Sequence, residues 1–196
     1  KGGFALERII FHIDVNRAFL SWEAAKRVKN GEKDIRLIPS AIGGDRDKRT
    51  GVILAKSMLM DFVDTDLLIQ KKYSSSLCDI IGSRGIGEFL KIENDVICSW
   101  SFLNCVIATG GSAVYGEEAM KKLSEYGIIV YLKLEPDEIA KRINNIHTRG
   151  IAMKEGTTIK ELYYQRAPLY EKYADKVLDC ANLSAEQCVD AIIQMI

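Results

Sequence analysis

The side chains best suited to chemistry are two aspartates and two arginines on either side of a glycine pair. Asp64 and Asp66 stand near the end of one apolar run, the glycines at 110–111 follow another, and Arg149 and Arg166 come later. Carboxylates orient hydroxyl groups or hold cations, and a guanidinium matches the fork of a carboxylate or phosphate. Any one of these residues alone is more typical of a solvated turn or surface cation, so only their joint order favours a functional role.

Strands and helices that alternate along the chain are predicted to position these residues. Apolar, β-branched runs predict buried strands at 8–15 and 104–111, the second ending in the glycine turn. This alternation indicates a parallel sheet, and ligands gather at the carboxyl ends of such strands. A polar turn is expected at 43–51, and 52–55 is either a strand or a helix start. Further strands are predicted at 35–38, 128–134 and 176–180, and helices at 17–29, 66–72, 75–82, 86–100, 117–126, 136–145, 158–173 and from Ser184.

Composition narrows the class of protein. The 196 residues are 47% hydrophobic and 28% charged, which fits one globular domain, or one domain with an attached piece. The chain has five cysteines without a CxxC pair, and His12 and His147 are its only histidines, so a zinc site is not expected. Reduced thiols, no secretory signal and no membrane-length apolar run favour a cytoplasmic protein without a membrane partner.

Charge is unevenly distributed although the net charge is zero. Residues 1–56 carry 12 Lys and Arg against 7 Asp and Glu, whereas residues 57–196 carry 15 against 20. A dedicated nucleic-acid binder depends on neutralising phosphates, so a zero total argues against nucleic acid as a partner. The asymmetry hints at two origins or at a basic face.

A series of motifs from residue 61 onwards carries a family resemblance. They are DFVDTDLLIQ (61–70), FLKIE (89–93), VIATGGSAV (106–114), IVYLKL (129–134), HTRGIAM (147–153) and RAPLYEKYAD (166–175). In order and spacing the chain resembles the shikimate kinase family through about residues 54–196. The resemblance implies an α/β fold of the P-loop kinase type, with three layers around a parallel sheet. It also implies phosphate transfer from MgATP to the 3-hydroxyl of shikimate.

The resemblance implies a role for each matching residue. Asp66 matches the residue that holds and orients the acceptor hydroxyl, and Arg149 matches the lid arginine that reaches the transferred phosphate. Arg166 matches the arginine that pairs with the substrate carboxylate. The turn formed by Gly110 and Gly111 matches the one whose backbone closely approaches the bound polyol.

ATP and Mg²⁺ are the cofactors that the resemblance implies, and Asp64 matches the residue associated with Mg²⁺. The nucleotide loop G-x-x-x-x-G-K-[ST] is absent, however, since Arg46 and Asp47 align with its second glycine and its lysine. No cofactor-binding residue is therefore predicted. Leu90 replaces the substrate arginine of the family's FR-x-x-E motif, a change that disfavours shikimate itself as the ligand.

The N-terminal segment resembles a different enzyme. RIIFHIDVNRAFLSWEA (8–24) and IPSAIGGDRDKRTGVILAKS (38–57) resemble the start of Y-family DNA polymerases of the DinB and UmuC group. There Asp14 would be the first Mg²⁺-binding carboxylate of the palm, and Phe19 the aromatic steric gate. One carboxylate cannot hold the two ions of a two-metal mechanism. We therefore expect this piece to be retained for packing.

The two resemblances meet at LAKS (54–57), which suggests a fusion, natural or engineered, or an assembly error. We predict a polymerase-like segment over 1–56 and a shikimate-kinase-like α/β domain over 57–196, with the strand at 8–15 replacing the family's P-loop strand. The leading hypothesis is a phosphotransferase for shikimate or a related sugar acid, impaired by loss of the P-loop. The alternatives are a non-catalytic chimera or remnant with an anion or polyol pocket, and a truncated translesion polymerase fragment. The sequence leaves the oligomeric state open.

Overall fold

A parallel sheet forms the centre of the part of the chain that the computed structural model describes, namely residues 9–13, 46–142, 151–154 and 156–196. Its order in space is β2-β3-β1-β4-β5, and each neighbouring pair runs parallel. The strands are β1 (Ile9–Ile13), β2 (Asp61–Asp64), β3 (Cys105–Thr109), β4 (Gly127–Lys133) and β5 (Lys176–Asp179).

The central strand comes from the N-terminal segment. In β1, Ile10 pairs with Val106 of β3 on one side and with Ile128 of β4 on the other. Central strands of parallel sheets are covered on both faces, so they are continuous apolar runs such as the IIFHI of β1. The prediction that this run takes a place within the sheet is confirmed.

Helices pack on both faces of this sheet. Because side chains alternate along a strand, Val106 and Ile107 of β3 belong to different apolar clusters. Val106 packs with residues of α1 and α7, and Ile107 with residues of α3, α4 and α6. The predicted three-layer α/β fold is therefore confirmed. The described helices are α1 (Arg46–Ser57), α2 (Thr65–Tyr73), α3 (Leu77–Ser99), α4 (Glu117–Tyr126), α5 (Pro136–Arg142), α6 (Ile159–Tyr173) and α7 (Ala185–Met195), and a 3₁₀ turn spans Ala113–Tyr115.

The polar turn predicted over 43–51 is wrong from Arg46 onwards, where α1 begins. Thr50 and Leu54, one helical turn apart, are both buried, and Leu54 packs against α7 and the sheet. Such packing stabilises a helix beyond what its composition predicts. The open alternative for 52–55 is resolved as helix.

The two helices predicted over 75–82 and 86–100 are confirmed as two segments of α3. They meet at Gly85, whose φ of 78° and ψ of 164° break the helical path. That left-handed region is readily accessible to glycine and strained for other residues. The kink separates the first turns of α3 from the longer second segment, which reaches the polar side chains described below.

Several sequence predictions lie outside the described residues. They are the helix at 17–29, the strand at 35–38 and the end of the helix predicted over 136–145. Among the helices that are described, none has both the length and the apolar character needed to cross a bilayer. The cysteines all fall within the described ranges, and none of them forms a disulfide bond.

Candidate functional site

The connection from β2 to α2 positions the first of the predicted site residues. The Asp64 carboxylate caps α2, where its Oδ1 atom accepts hydrogen bonds from the backbone N–H groups of Asp66 (2.9 Å) and Leu67 (3.1 Å). Asp66 therefore lies buried in the first turn of the helix, and not at the end of the strand as the sequence suggested. Asp64 meets an orphaned helix terminus, which is the structural role that an aspartate most often has at this position.

Two carboxylates converge on Gly110, in the turn after β3. A Cβ atom added to Gly110 would lie 2.6 Å from Oε1 of Glu93 and 2.8 Å from Oδ1 of Asp66. Contacts this short are not tolerated, so only glycine leaves room for both acids. Asp66 of α2 and Glu93 of α3 thus face the same small region beside the glycine turn.

Glu93 is the most unusual group in this region. Its side chain is 1% exposed, and neither carboxylate oxygen accepts a hydrogen bond from any residue that the structure describes. Burial, followed by the nearby Asp66, raises the pKa of Glu93 to about 8. Ser112 and Arg166 act in the opposite direction. Ser112 is close enough to lower the pKa without meeting the geometry of a hydrogen bond.

Arg166 of α6 brings a positive charge to the same region. It is 4% exposed, donates from Nη2 to the carbonyl of Ala152 (2.7 Å), and places its guanidinium 5.4 Å from the ring centroid of Tyr115. Within the described part of the chain, its Nε atom has no hydrogen-bond partner. A buried guanidinium with an unused donor is unlike a surface cation, which was the alternative interpretation of this residue.

Tyr170 connects α6 to the glycine turn. Its hydroxyl donates to the carbonyl of Gly111 at 2.7 Å, and it lies one helical turn after Arg166. Burial raises the pKa of Tyr170, so its hydroxyl stays protonated and remains a donor. This bond fixes the distance between the turn and the helix that carries the arginine.

Position 90 of α3, three residues before Glu93, carries a leucine and therefore no positive charge. The two residues are three positions apart, which places them on neighbouring parts of the helix surface. The Leu90 side chain is half-buried and packs against an apolar cluster that includes Ile69 and Phe89. Within the described residues, the charge that opposes Glu93 comes from Arg166.

The residues at the nucleotide position do not fit MgATP. Helix α1 begins with Arg46, Asp47 and Lys48 where a phosphate loop places glycine, lysine and a hydroxyl residue. The Oδ1 atom of Asp64 is engaged in the helix cap. No group of three potential metal ligands occurs among the described His, Cys, Asp and Glu residues. We therefore assign no magnesium site.

The described site brings together four of the predicted residues and adds three others. Asp66, Gly110 and Arg166 meet in one buried region, and Gly111 joins them through Tyr170. Asp14, Phe19 and Arg149 lie outside the described residues. The sequence did not single out Glu93, Ser112 and Tyr170. For Glu93 a signal existed, since it falls at helical spacing among the buried apolar residues Phe89, Ile92, Val96 and Ile97.

Comparisons with known proteins agree with this geometry over most of the chain. A sequence profile of the family described as "Shikimate kinase" matches residues 48–196. Curated shikimate kinases from Bacillus mycoides (strain KBAB4) and Thermodesulfovibrio yellowstonii are 31% and 35% identical over 146 and 147 residues. Those matches cover 74% of this chain in both cases, and 88% and 84% of the two relatives.

The N-terminal part of the chain matches a different protein. DNA polymerase IV from Clostridium acetobutylicum is 60% identical over 53 residues, which are 26% of this chain and 13% of that polymerase. The N-terminal part of this chain is therefore similar to part of a polymerase, consistent with the resemblance in its sequence motifs.

Solved structures with the same fold include the shikimate kinase of Acinetobacter baumannii in complex with shikimate. It superposes with a TM-score of 0.72, covering 96% of this chain and 92% of that chain at 21% identity. The enzyme from Aquifex aeolicus gives a TM-score of 0.66, covering 95% and 94% at 22% identity. The described part of the chain, including β1, therefore has the fold of these enzymes.

Proposed function

Because the chain belongs to the shikimate kinase family, we propose that its pocket binds a hydroxylated small-molecule acid, and that the chain does not transfer phosphate from ATP to it at an appreciable rate. The observation that carries this proposal is the difference between the region that would hold the acid, called the acceptor side, and the region that would hold ATP, called the phosphate side. Asp66, Gly110 and Arg166 form a buried polar region, whereas α1 begins with Arg46-Asp47-Lys48.

The acceptor side has the chemistry for a polyol acid. We expect Asp66 to accept a hydrogen bond from a ligand hydroxyl, and the missing side chain at Gly110 lets the Asp66 carboxylate lie against the turn. Arg166 supplies a buried guanidinium, which binds a carboxylate with two parallel hydrogen bonds where its donors are available. These groups bind and orient a ligand without needing a nucleotide.

The phosphate side lacks the groups that the family uses for ATP and Mg²⁺. A phosphate loop wraps its backbone amides around the β-phosphate, its lysine balances charge, and its hydroxyl holds the metal. Arg46, Asp47 and Lys48 replace all three groups, and Asp47 adds negative charge where a polyanion would arrive. A flexible lysine or arginine does not replace a preorganised nest of amides.

We further propose that residues 1–56 and 57–196 have separate origins, and that the first part serves the second by supplying a strand. The pairing of β1 with β3 and β4 supports this role, as does the polymerase match confined to 53 residues. A polymerase needs further carboxylates and DNA-binding elements that the rest of this chain does not resemble. We therefore do not favour DNA synthesis as its function.

Titration calorimetry with shikimate tests the acceptor side. We expect weak binding, because Leu90 stands where the family has an arginine that pairs with the shikimate carboxylate. A charge-assisted hydrogen bond of this kind is worth about 1.5–3 kcal/mol. Leu90→Arg should raise the affinity by about ten- to a hundredfold, and Arg166→Leu should abolish binding. Arg84→Leu is the matched control, since Arg84 is exposed on α3 and lies over Tyr73. If Arg166→Leu binds shikimate as tightly as the unmodified chain, the proposal that Arg166 binds the ligand is wrong.

ATP titration tests the phosphate side separately. Replacing residues 36–53 with the P-loop unit of an active family member should create nucleotide binding, whereas Asp47→Lys alone should not. The reason is that binding depends on the loop backbone as well as on one charge. Micromolar ATP binding by the unmodified chain would contradict this half of the proposal and leave the acceptor half standing.

A further inference from the structure

A partly enclosed pocket lies beside Arg166, between α5, the segment 151–154 and α6. Its volume is about 330 Å³ measured out to its open mouth, near the lower end of the range for small-molecule sites. Among the described residues that line it, Arg166 alone is charged. The others are aliphatic or aromatic, namely Ile139, Ile151, Ile159, Leu162, Tyr163 and Tyr170.

The aliphatic part of this lining is unsuited to the hydroxyl groups of a polyol. Ile139, Ile159 and Leu162 are buried, and their side chains carry no hydrogen-bond donor or acceptor. A hydroxyl group placed against them gives up its hydrogen bonds to water without replacing them. An alkyl group placed there is stabilised, because apolar surface of both the ligand and the pocket is removed from water.

Arg166 connects this pocket with the acid of the proposed function. Its side chain is 4% exposed, its Nη2 atom donates to the carbonyl of Ala152, and its Nε atom has no hydrogen-bond partner among the described residues. Donors this deeply buried are nearly always satisfied, so the unused Nε is consistent with a partner supplied by a ligand. Because the same side chain lines the pocket, we expect the carbon atoms next to a carboxylate at Arg166 to lie within reach of the aliphatic side chains.

We propose that the acid bound at Arg166 carries a short alkyl group close to its carboxylate, and that this group occupies the pocket beside Ile139, Ile159 and Leu162. This inference rests on the proposed function and specifies its ligand class, a hydroxylated acid with an apolar substituent. The volume includes the open mouth, so the enclosed space limits the substituent to a few carbon atoms. Each methylene group that enters the pocket should raise the affinity about fourfold.

Titration calorimetry tests this inference with shikimate and with analogues that carry a methyl, ethyl or propyl group on the ring carbon next to the one bearing the carboxylate. We expect the affinity to rise along the series, so that the best analogue binds about tenfold or more tightly than shikimate. In nuclear magnetic resonance spectra of the complex, Overhauser contacts between the alkyl protons and the methyl groups of Ile139 and Ile159 should locate the substituent.

A filled pocket should remove the preference for the alkyl analogues. Ile151 is a half-buried lining residue, so Ile151→Phe places a larger side chain in this space without enlarging a fully buried position. Met153→Phe is the matched control, because Met153 belongs to the same segment and packs against the same apolar cluster but does not line the pocket. We expect Ile151→Phe to bind shikimate and its alkyl analogues with similar affinities, and Met153→Phe to retain the preference.

The outcomes separate this inference from the proposed function. If the unmodified chain binds the alkyl analogues no more tightly than shikimate, the inference is wrong and the proposed function stands. The same holds if Ile151→Phe keeps the full preference and the alkyl protons show no contact with Ile139 or Ile159. Binding of none of these acids, by a chain whose thermal unfolding remains cooperative, would overturn both.

Discussion

The acceptor side and the phosphate side of this molecule impose different demands on sequence. At the acceptor side, particular atoms meet, since Asp66 and Glu93 both face Gly110 and only glycine leaves room for them. At the phosphate side, β1 pairs with both of its neighbours, but the loop chemistry of a nucleotide kinase is missing from the sequence before α1.

The comparison shows that a fold is more easily completed than a site. A central parallel strand needs an apolar, β-branched run of suitable length, and the IIFHI of a polymerase-like segment meets that need. A phosphate site needs glycine, lysine and a hydroxyl residue at fixed spacing, and none of these stands at its place in Arg46-Asp47-Lys48. Under the proposed separate origin, the N-terminal segment completes the sheet and does not bring the phosphate chemistry with it.

The largest effect should come from the core where α1 packs against the sheet. Leu54 of α1 is fully buried against Val106, Val130 and Val189. Leu54→Ala should lower the free energy of unfolding by about 2–5 kcal/mol, because it leaves a cavity where α1 meets the sheet. Val52→Ala is the control on the same helix, since Val52 is 49% exposed, and it should cost less than about 0.5 kcal/mol.

Chemical denaturation of both variants measures this difference. Equal, small losses would mean that α1 is not part of the cooperatively folded unit. The comparison would then become one between a folded domain and a loosely attached segment.

The second effect is a pH dependence that belongs to the acceptor side. The pKa of Glu93 rises from 4.5 to about 8 on folding, so below pH 4.5 the carboxyl group is protonated in both states. Between these values the unfolded chain ionises first, and the free energy of unfolding falls as pH rises. From pH 5 to pH 8, wild type should lose roughly 2–4 kcal/mol relative to Glu93→Gln. Parallel stability curves for the two proteins would contradict a raised pKa.

Gly110→Ala should have a smaller effect, again confined to the acceptor side. The added methyl group meets the carboxylates of Glu93 and Asp66, so one of them must move, at about 1–3 kcal/mol of stability. Gly82→Ala is the control, because its methyl group meets nothing within 4 Å inside helix α3. The control should be neutral or stabilising by up to about 1 kcal/mol. Thermal unfolding distinguishes the two signs.

The smallest effect concerns the connection between β2 and α2. Asp64→Ala removes the cap and should cost about 1 kcal/mol, whereas Asp64→Asn retains a capping oxygen and should cost a few tenths. Both changes should be insensitive to added Mg²⁺, since we assign Asp64 a capping role. Stabilisation of wild type, but not of Asp64→Asn, by millimolar Mg²⁺ would contradict that assignment.

Hydrophobic patterns allowed much of the fold to be predicted from the sequence. Apolar runs identified β1 and β3, and the break near Gly85 was placed between two predicted helices. The turn predicted over 43–51 failed because local composition does not report that Leu54 packs against α7 and holds the helix in place.

The site was less predictable, because burial of polar groups is decided by tertiary structure. In the sequence alone, Arg166 is most simply interpreted as a surface cation. Only the packing of α6 against the glycine turn buries it. Glu93 stood inside a quoted motif without being chosen, since a glutamate on a helix is usually solvated. Its importance depends on its approach to Gly110, which lies after the next strand and comes near Glu93 only in the folded chain.

A coupled assay with MgATP and shikimate tests the central claim most directly, which is that the acceptor pocket persists without a working phosphate site. Purified, unmodified chain is compared with the variant that carries a family P-loop unit in place of residues 36–53. The account predicts no turnover above background by the unmodified chain. Turnover of roughly one per second, the low end of the usual enzyme range, would contradict it and would require a phosphate site elsewhere in the chain.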